Sequence, residues 1–308
     1  IESLFTLLSR AGSVRVLYLV GNDLQDLKPI NITPIPSLQI LYLCKCRLTS
    51  RDVESLFTLL SAAGSVQELA LLNNNLQQLQ SINITPLPSL RRLYLGECDL
   101  TGSDIGALFT LLSAAGSVKE LDLVDNDLHP LGHTNISPVP SLETLHLLGC
   151  SLTETDIESV FTLLSEAGSV KELALSSNDF HNLKPVKITP VPTLQKLLLQ
   201  KCRLTNSNVE SLFGLLSAAG SVKELVLVNN NLHQLQHMSI SPVPSMQTLI
   251  LEECDLANSD IESLFTLLSA AGSVKELVLS RNDFHNLQPV DITPVQSLQA
   301  LTLVECGL

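Results

Sequence analysis

The sequence predicts an α/β solenoid with parallel strands, and three observations carry that prediction. A 52-residue period runs through all 308 residues without insertion or deletion. Each period divides into two halves in which leucines recur at the same offsets. Helix signals occupy one half and prolines the other. A chain of this length would ordinarily split into two domains, but a repeat array can stay one continuous core at any length.

The period is read from residues that do not change. Phe5, Phe57, Phe109, Phe161, Phe213 and Phe265 are 52 apart, and so are Gly12, Gly64, Gly116, Gly168, Gly220 and Gly272. Self-similarity at a fixed spacing is the mark of stacked structural units. Residues 1–308 are therefore expected to be a single solenoid of six units. Six full units would need 312 residues, four more than the chain has. It opens at "IESLF", inside an expected helix, and stops at "VECGL", just after an expected strand. Neither end reads as the polar cap that an isolated solenoid requires, so the expectation is an excerpt from a longer array.

The two halves of each unit are strand-bearing coils. In "VKELALSSNDF", Leu173 and Leu175 point inward, Asn178 closes the strand and Phe180 lies below it. In "LQKLLLQKCRL", Leu197, Leu199, Cys202 and Leu204 take the same offsets. Both fit L-x-x-L-x-L-x-x-N/C-x-L. On these residues the chain resembles the leucine-rich repeat family over its whole length, in twelve copies. The 28-residue Cys-type half looks like ribonuclease inhibitor and the C-terminal repeats of NOD-like receptors. The 24-residue Asn-type half departs from them, carrying a Pro-bearing segment such as "LKPVKITPVPTL" where they have a second helix. The resemblance implies a curved, right-handed horseshoe with about 12 parallel strands on its concave face. It further implies a non-enzymatic recognition scaffold of the innate-immune kind, without cofactor.

The convex side should alternate between helix and extended chain. In "LTETDIESVFTLLSEAG", Thr153 can cap a helix with Asp156 at its third position, a variant of the capping box. Ile157, Val160, Phe161 and Leu164 follow at i, i+3, i+4 and i+7, one apolar stripe, and Gly168 suits the left-handed residue past the helix end. Ala257 replaces the cap Thr in the fifth unit, which should weaken that helix start by about 1 kcal/mol. Pro34, Pro36 and their equivalents forbid a helix in the other half. A wider helical side at every second coil forces curvature.

Ladders of polar residues mark where each coil turns inward after its strand. Asn22, Asn74, Asn126, Asn178, Asn230 and Asn282 form one, and Cys46, Cys98, Cys150, Cys202, Cys254 and Cys306 another. A buried amide there satisfies main-chain groups that would otherwise cost about 1–3 kcal/mol each. Successive Cys rungs are two strands apart, roughly 9–10 Å, beyond disulfide or metal-ligand reach, so buried free thiols are expected. Cys44 is the exception, with an offset that puts it on the exposed face. His129, His181, His233 and His285 read as a solvated coil edge.

Composition excludes several functions. No apolar run approaches the roughly 18 residues of a membrane span, and nothing resembles a targeting segment. The net charge of −13 disfavours nucleic acid and anionic membranes and favours a basic or neutral protein partner. The glycines serve as helix stops, and no Ser/His/Asp grouping stands out, so no catalytic or metal site is expected.

Function should reside in the letters that vary. Strand side chains alternate, so the residues between the inward leucines face outward on the concave side. The central such position includes Tyr18, Tyr42, Tyr94, Asp122, His146, Leu198, Val226, Ile250 and Val278, the expected partner-binding residues. All three tyrosines of the chain lie there, and tyrosine suits a binding hot spot because it brings large area at low entropic cost. A neighbouring column pairs Glu68, Arg92 and Glu120, then Glu172, Lys196 and Glu224; as exposed pairs these would contribute about 0–1 kcal/mol each. Asp23, Asp99, Asp127, Asp179, Asp255 and Asp283 form an acidic rim that could steer a basic partner.

Seven cysteines without a plausible pairing favour a reducing, cytoplasmic setting. Against that, Asn31, Asn83 and Asn135 each begin an N-x-[ST] glycosylation sequon on the convex side. Three readings remain open at the sequence level: capture of a protein partner in the concave face, an extracellular glycosylated recognition ectodomain, and end-to-end stacking into a fibre or layer.

Overall fold

The computed structural model describes residues 2–25, 33–131, 136–181, 189–233, 235, 240–285 and 295–308. The chain divides into two compact units, 1–151 and 152–308. The first holds α1 (Glu2–Ala11), α2 (Ser50–Ala63) and α3 (Gly102–Ala115). Its strands are β1 (Val16–Tyr18), β2 (Ile40–Tyr42), β3 (Glu68–Ala70), β4 (Arg92–Tyr94), β5 (Glu120–Asp122) and β6 (Thr144–His146). Each pairs with the next in parallel and without stagger, Leu17 with Leu41, Leu41 with Leu69, and so on to Leu145.

The second unit repeats the scheme. Its helices are α4 (Glu154–Ala167), α5 (Asn206–Ala219) and α6 (Asn258–Ala271). Its strands are β7 (Glu172–Ala174), β8 (Lys196–Leu198), β9 (Glu224–Val226), β10 (Thr248–Ile250), β11 (Glu276–Val278) and β12 (Ala300–Thr302), again parallel and sequential. Every α-helix among the described residues lies in a Cys-type half, and the described outer segments of the Asn-type halves contain 3-10 structure at Leu79–Ser81 and Leu235 and no α-helix. Proline explains the asymmetry, since it removes a helix donor and clashes with the preceding turn.

The core follows the leucine ladder. Leu69, Leu93 and Leu121 in the first unit, and Leu197, Leu225 and Leu249 in the second, are fully buried. Helices supply the other wall. Ile157 and Phe161 of α4, Leu212 and Leu215 of α5, and Leu175 and Leu199 from the coils of β7 and β8 surround one apolar gap. That gap, about 10 Å³, is no larger than about one water and has only apolar walls.

The Asn ladder closes the coils as expected. The Asn126 carboxamide oxygen accepts from Cys98 N at 3.0 Å and Leu100 N at 2.9 Å, while its NH2 donates to Leu95 O at 2.9 Å and Leu123 O at 2.7 Å. Asn282 repeats the pattern on Cys254, Leu256, Leu251 and Leu279. The cysteines are free and buried. Cys98 donates its thiol to Leu71 O at 3.2 Å, and Cys254 to Leu227 O at 3.1 Å.

One expectation needs correction, and the capping boxes expected at the helix starts are present with an uneven division of labour. Cys44, expected on the exposed face, is only 9% accessible, its short side chain sitting among larger neighbours with Sγ 3.9 Å from Ala70 O. At the helix starts the carboxylate, rather than the Thr, does most of the capping. Asp104 Oδ2 accepts from Thr101 N at 3.0 Å and from the Thr101 hydroxyl at 2.8 Å, and its Oδ1 accepts from Leu79 N at 2.8 Å. The helix's own N3 amide bonds the cap carbonyl, Thr101 O, at 2.9 Å. Ala257 cannot accept or donate through its side chain, yet Asp260 still receives Ala257 N at 2.9 Å and Leu235 N at 2.6 Å.

Candidate functional site

Outward residues of the strands form an open sheet face in each unit, on the side away from the helices. Its residues are positioned by the buried leucines on either side, so each side chain is presented from a rigid backbone. In the first unit the central column reads Tyr18, Tyr42, Ala70, Tyr94, Asp122 and His146 in unbroken register. Tyr18 is 61% exposed; Tyr42, Tyr94, Asp122 and His146 are half-buried. The rings of Tyr18 and Tyr42 meet edge to face, with centroids 4.9 Å apart and planes at 88°, a favourable arrangement of aromatic quadrupoles.

The adjoining charge column is not a set of exposed pairs here. Arg92 approaches Glu68 at 2.6 Å through Nη2 and 2.8 Å through Nε, and the Tyr42 hydroxyl donates to the other oxygen of Glu68. The Glu68 side chain keeps only 8% of its accessibility. Tyr42 and Glu68 are diagonal neighbours on one face, and Ala70, buried between Tyr42 and Tyr94, leaves room for the ring to lean over. The hydrogen bond to Glu68 pushes the Tyr42 hydroxyl up to about 12, and burial, with Glu120 and Glu68 nearby, raises Tyr94. Both phenols stay protonated donors across the physiological range. The buried Glu68 hub escaped sequence reasoning; the signal for it was the small Ala70 between two tyrosines.

Further along, His146 Nδ1 lies 3.8 Å from Asp122 Oδ2, and Asp122 Oδ1 accepts from Val124 N at 2.9 Å. Beyond the strand ends, Lys45, Arg47, Asn73, Glu97, Asp99 and Asp125 line an open hollow of about 620 Å³. Its charges are mixed, with Arg47 on Asp23 at 3.0 Å and Asn73 on Glu97 at 2.7 Å.

The central column of the second unit's face is largely apolar. Leu198, Ile250 and Val278 are half-buried, whereas Val226 is only 3% exposed. Val226 sits in register between the longer Leu198 and Ile250, which leaves it little surface to offer a partner. Lys196 bridges Glu172 at 3.7 Å and Glu224 at 3.4 Å, all about one-third exposed, as expected of a solvated ion row. On the coil edge His181 pairs with Asp179 at 2.7 Å, and His285 with Asp283. Among the described residues no group of three or more His, Cys, Asp or Glu side chains is placed to hold a metal ion, and no helix is long and apolar enough to cross a membrane. Asn83 is exposed; Asn31 and Asn135 lie outside the described residues.

Parallel strands in strict sequence, leucines behind them, an Asn/Cys ladder closing each coil and an open face of variable residues define a leucine-rich repeat fold. The chain's relatives are ribonuclease inhibitors and the repeat regions of NACHT, LRR and PYD domains-containing proteins. The chain is 30% identical to the ribonuclease inhibitor of Sus scrofa over 285 residues, covering 84% of this chain and 62% of that protein. It is 28% identical to that of Mus musculus, covering 93% and 68%. With NACHT, LRR and PYD domains-containing protein 3 of Homo sapiens it shares 29% identity, covering 86% of this chain and 28% of that protein. The chain thus spans about two thirds or less of these relatives. No protein-family model matches it. Among solved structures, an internalin from Listeria monocytogenes superposes with a TM-score of 0.50 at 17% identity, over 94% of this chain and 86% of that one. A complex of TLR13 with ssRNA13 gives 0.55 at 16%, over 98% and 56%. These two share the fold.

Proposed function

We propose that the chain is a non-enzymatic scaffold that holds a protein partner against its open sheet face. The observation that carries this reading is the tyrosine cluster of the first unit. Tyr18, Tyr42 and Tyr94 stand on rigid strands beside the Glu68–Arg92 pair, with Asp122 and His146 next to them. Rigid aromatic area with donor hydroxyls is what interface hot spots are made of. On the second unit, Leu198, Ile250 and Val278 offer apolar surface, with Val226 a minor contributor. The net charge of −13 and the acidic rim favour a basic partner, and the name ribonuclease inhibitor makes a basic ribonuclease the first probe to try.

The test is site-specific photo-crosslinking from Tyr18 and Tyr94, compared with Glu158 on α4, using a ribonuclease and a set of basic proteins. Crosslinks from the two open-face positions are expected, and each should be lost when the other two of Tyr18, Tyr42 and Tyr94 are changed to Ala. Equal capture from Glu158, or none from the face with any protein tried, overturns the reading. The exposed Asn83 favours one second reading, an ectodomain glycosylated on its outer side. Secreted expression with and without Asn83→Gln, followed by enzymatic deglycosylation, tests it: an N83Q-sensitive mass shift supports it and no shift rejects it.

A further inference from the structure

One column of residues breaks with the acidic character of the chain. Immediately before the strands β7 to β11 of the second unit stand Lys171, Gln195, Lys223, Gln247 and Lys275, with no acid among them. All three lysines are exposed. The row is rigid because its main chain is a hydrogen-bonded ladder. Gln195 N donates to Lys171 O at 2.7 Å, Lys223 N to Gln195 O at 2.8 Å, Gln247 N to Lys223 O at 2.7 Å, and Lys275 N to Gln247 O at 2.8 Å. Strands lie about 4.8 Å apart, so the lysines recur roughly every 9–10 Å with a glutamine between them. Lys223 Nζ already reaches along the row, donating to Gln195 Oε1 at 3.1 Å.

The carboxylates next in sequence point elsewhere, because adjacent strand residues face opposite ways. Glu172 and Glu224 lie on the open face, where Lys196 bridges both, and Glu276 lies 3.5 Å from the Thr248 hydroxyl. At the far ends of the strands Asp179 is met by Arg203 and Glu253 by Arg281. That edge is roughly 20 Å away along the strand direction, more than twice the ~8 Å over which exposed charges act at physiological ionic strength. The net charge of the chain therefore does not decide what this edge attracts. The equivalent row of the first unit is different, since Glu143 interrupts it and holds Lys119 at 2.7 Å.

A ligand for the row must set out anions in a straight line at the lysine spacing. A polyproline II segment does this: three residues per turn and a rise of about 3.1 Å put every third side chain on one side, about 9.3 Å apart. A β-strand repeats its face about every 6.7 Å and falls out of step. An α-helix has already paired its own peptide groups, which leaves the glutamines nothing to bond, whereas the backbone of polyproline II is open to outside partners.

We propose that this lysine–glutamine edge of the second unit binds an acidic peptide segment in the polyproline II conformation, with a carboxylate on every third residue. Lys223 and Lys275 set the register, Lys171 continues it, and Gln195 and Gln247 meet the peptide groups between. The site uses the strand edge rather than the open face, so it does not rest on the partner-binding reading.

The test is fluorescence anisotropy of a dye-labelled peptide repeating Glu-Pro-Pro, titrated with the full 308-residue chain at low ionic strength. Saturable binding is expected. A peptide with the same number of glutamates repeating Glu-Pro-Pro-Pro, whose carboxylates spiral around its axis, should bind about tenfold more weakly. Lys223→Glu with Lys275→Glu should also weaken the Glu-Pro-Pro peptide about tenfold, through lost pairs and new repulsion, with an unchanged circular dichroism spectrum. Lys223→Gln with Lys275→Gln should give an intermediate loss. Lys201→Glu, the same charge change on the opposite edge, should leave binding as it was. Equal affinity for the two spacings overturns the proposal, as does binding that survives both double variants. Heparin or duplex DNA that competes as well as the matched peptide would show a general polyanion surface and overturn it too.

Discussion

Asn126 ties four main-chain groups of two neighbouring coils with a single amide, so its loss orphans buried donors and acceptors that nothing else can reach. Asn126→Ala is expected to cost about 3 kcal/mol in urea unfolding, whereas Asn22→Ala, exposed at the first coil, should cost under about 1 kcal/mol. The cysteines predict a pH limit. Burial pushes the thiols of Cys98, Cys150, Cys202 and Cys254 from 9.0 up to about 12. A group whose folded value is raised favours the fold below its unfolded value and loses that contribution as pH climbs to the folded one. Denaturant midpoints should therefore hold up to about pH 9 and fall progressively above it, and a thiol reagent should titrate these four residues only on unfolding. Tyr42 offers a spectroscopic check on the site: Glu68→Gln should bring its ionisation down from about 12 toward 10, read as phenolate absorbance in a chain with three tyrosines and no tryptophan. The amide and thiol ladders were legible from their spacing alone. The Glu68 hub was not, because a column of alternating charges looks the same in sequence whether it is solvated or covered by a tyrosine ring from the next strand.

At the scale of single elements, each helix start is a small polar core. Asp104, 1% exposed, accepts three hydrogen bonds and joins α3 to the coil before it through Leu79 N. Asp104→Ala is expected to cost about 3 kcal/mol, since it strands buried amides, and Thr101→Ala about 1 kcal/mol at most. Ala257→Thr should raise stability by up to about 1 kcal/mol by restoring the missing hydroxyl; chemical denaturation of the three variants against wild type checks the order. A larger penalty for losing the Thr than for losing the Asp would refute this account of the cap. Helix extent and its Gly stop followed from the sequence, with Gly168 at φ 65° and its N–H on Leu164 O. The division of labour within the cap did not, because Oδ1 of Asp104 bonds a residue 25 positions away that local pattern cannot see.

For the molecule as a whole, stability is a sum over coils and the contacts between successive ones, so position along the array should set the cost of one and the same substitution. Leu121→Ala, deep in the first unit, is expected to cost about 3 kcal/mol by opening a cavity, whereas Leu301→Ala on the last strand should cost about 1 kcal/mol because it already faces water. Equal losses would contradict the ladder. By itself the sequence determined the repeat length, the parallel strand order, the buried leucine, Asn and Cys ladders, and the restriction of α-helix to alternate coils among the described residues. All of these follow from spacing and backbone chemistry that act within one or two coils. Only the tertiary structure decided how much of each outward residue is left to meet a partner: why Leu198 and Ile250 keep part of their surface while Val226 and Cys44 are covered, and why Glu68 sits under Tyr42. Exposure on a sheet face depends on the sizes of side chains one strand away, which lie 24 or 28 residues apart in the chain and touch only once the coils stack.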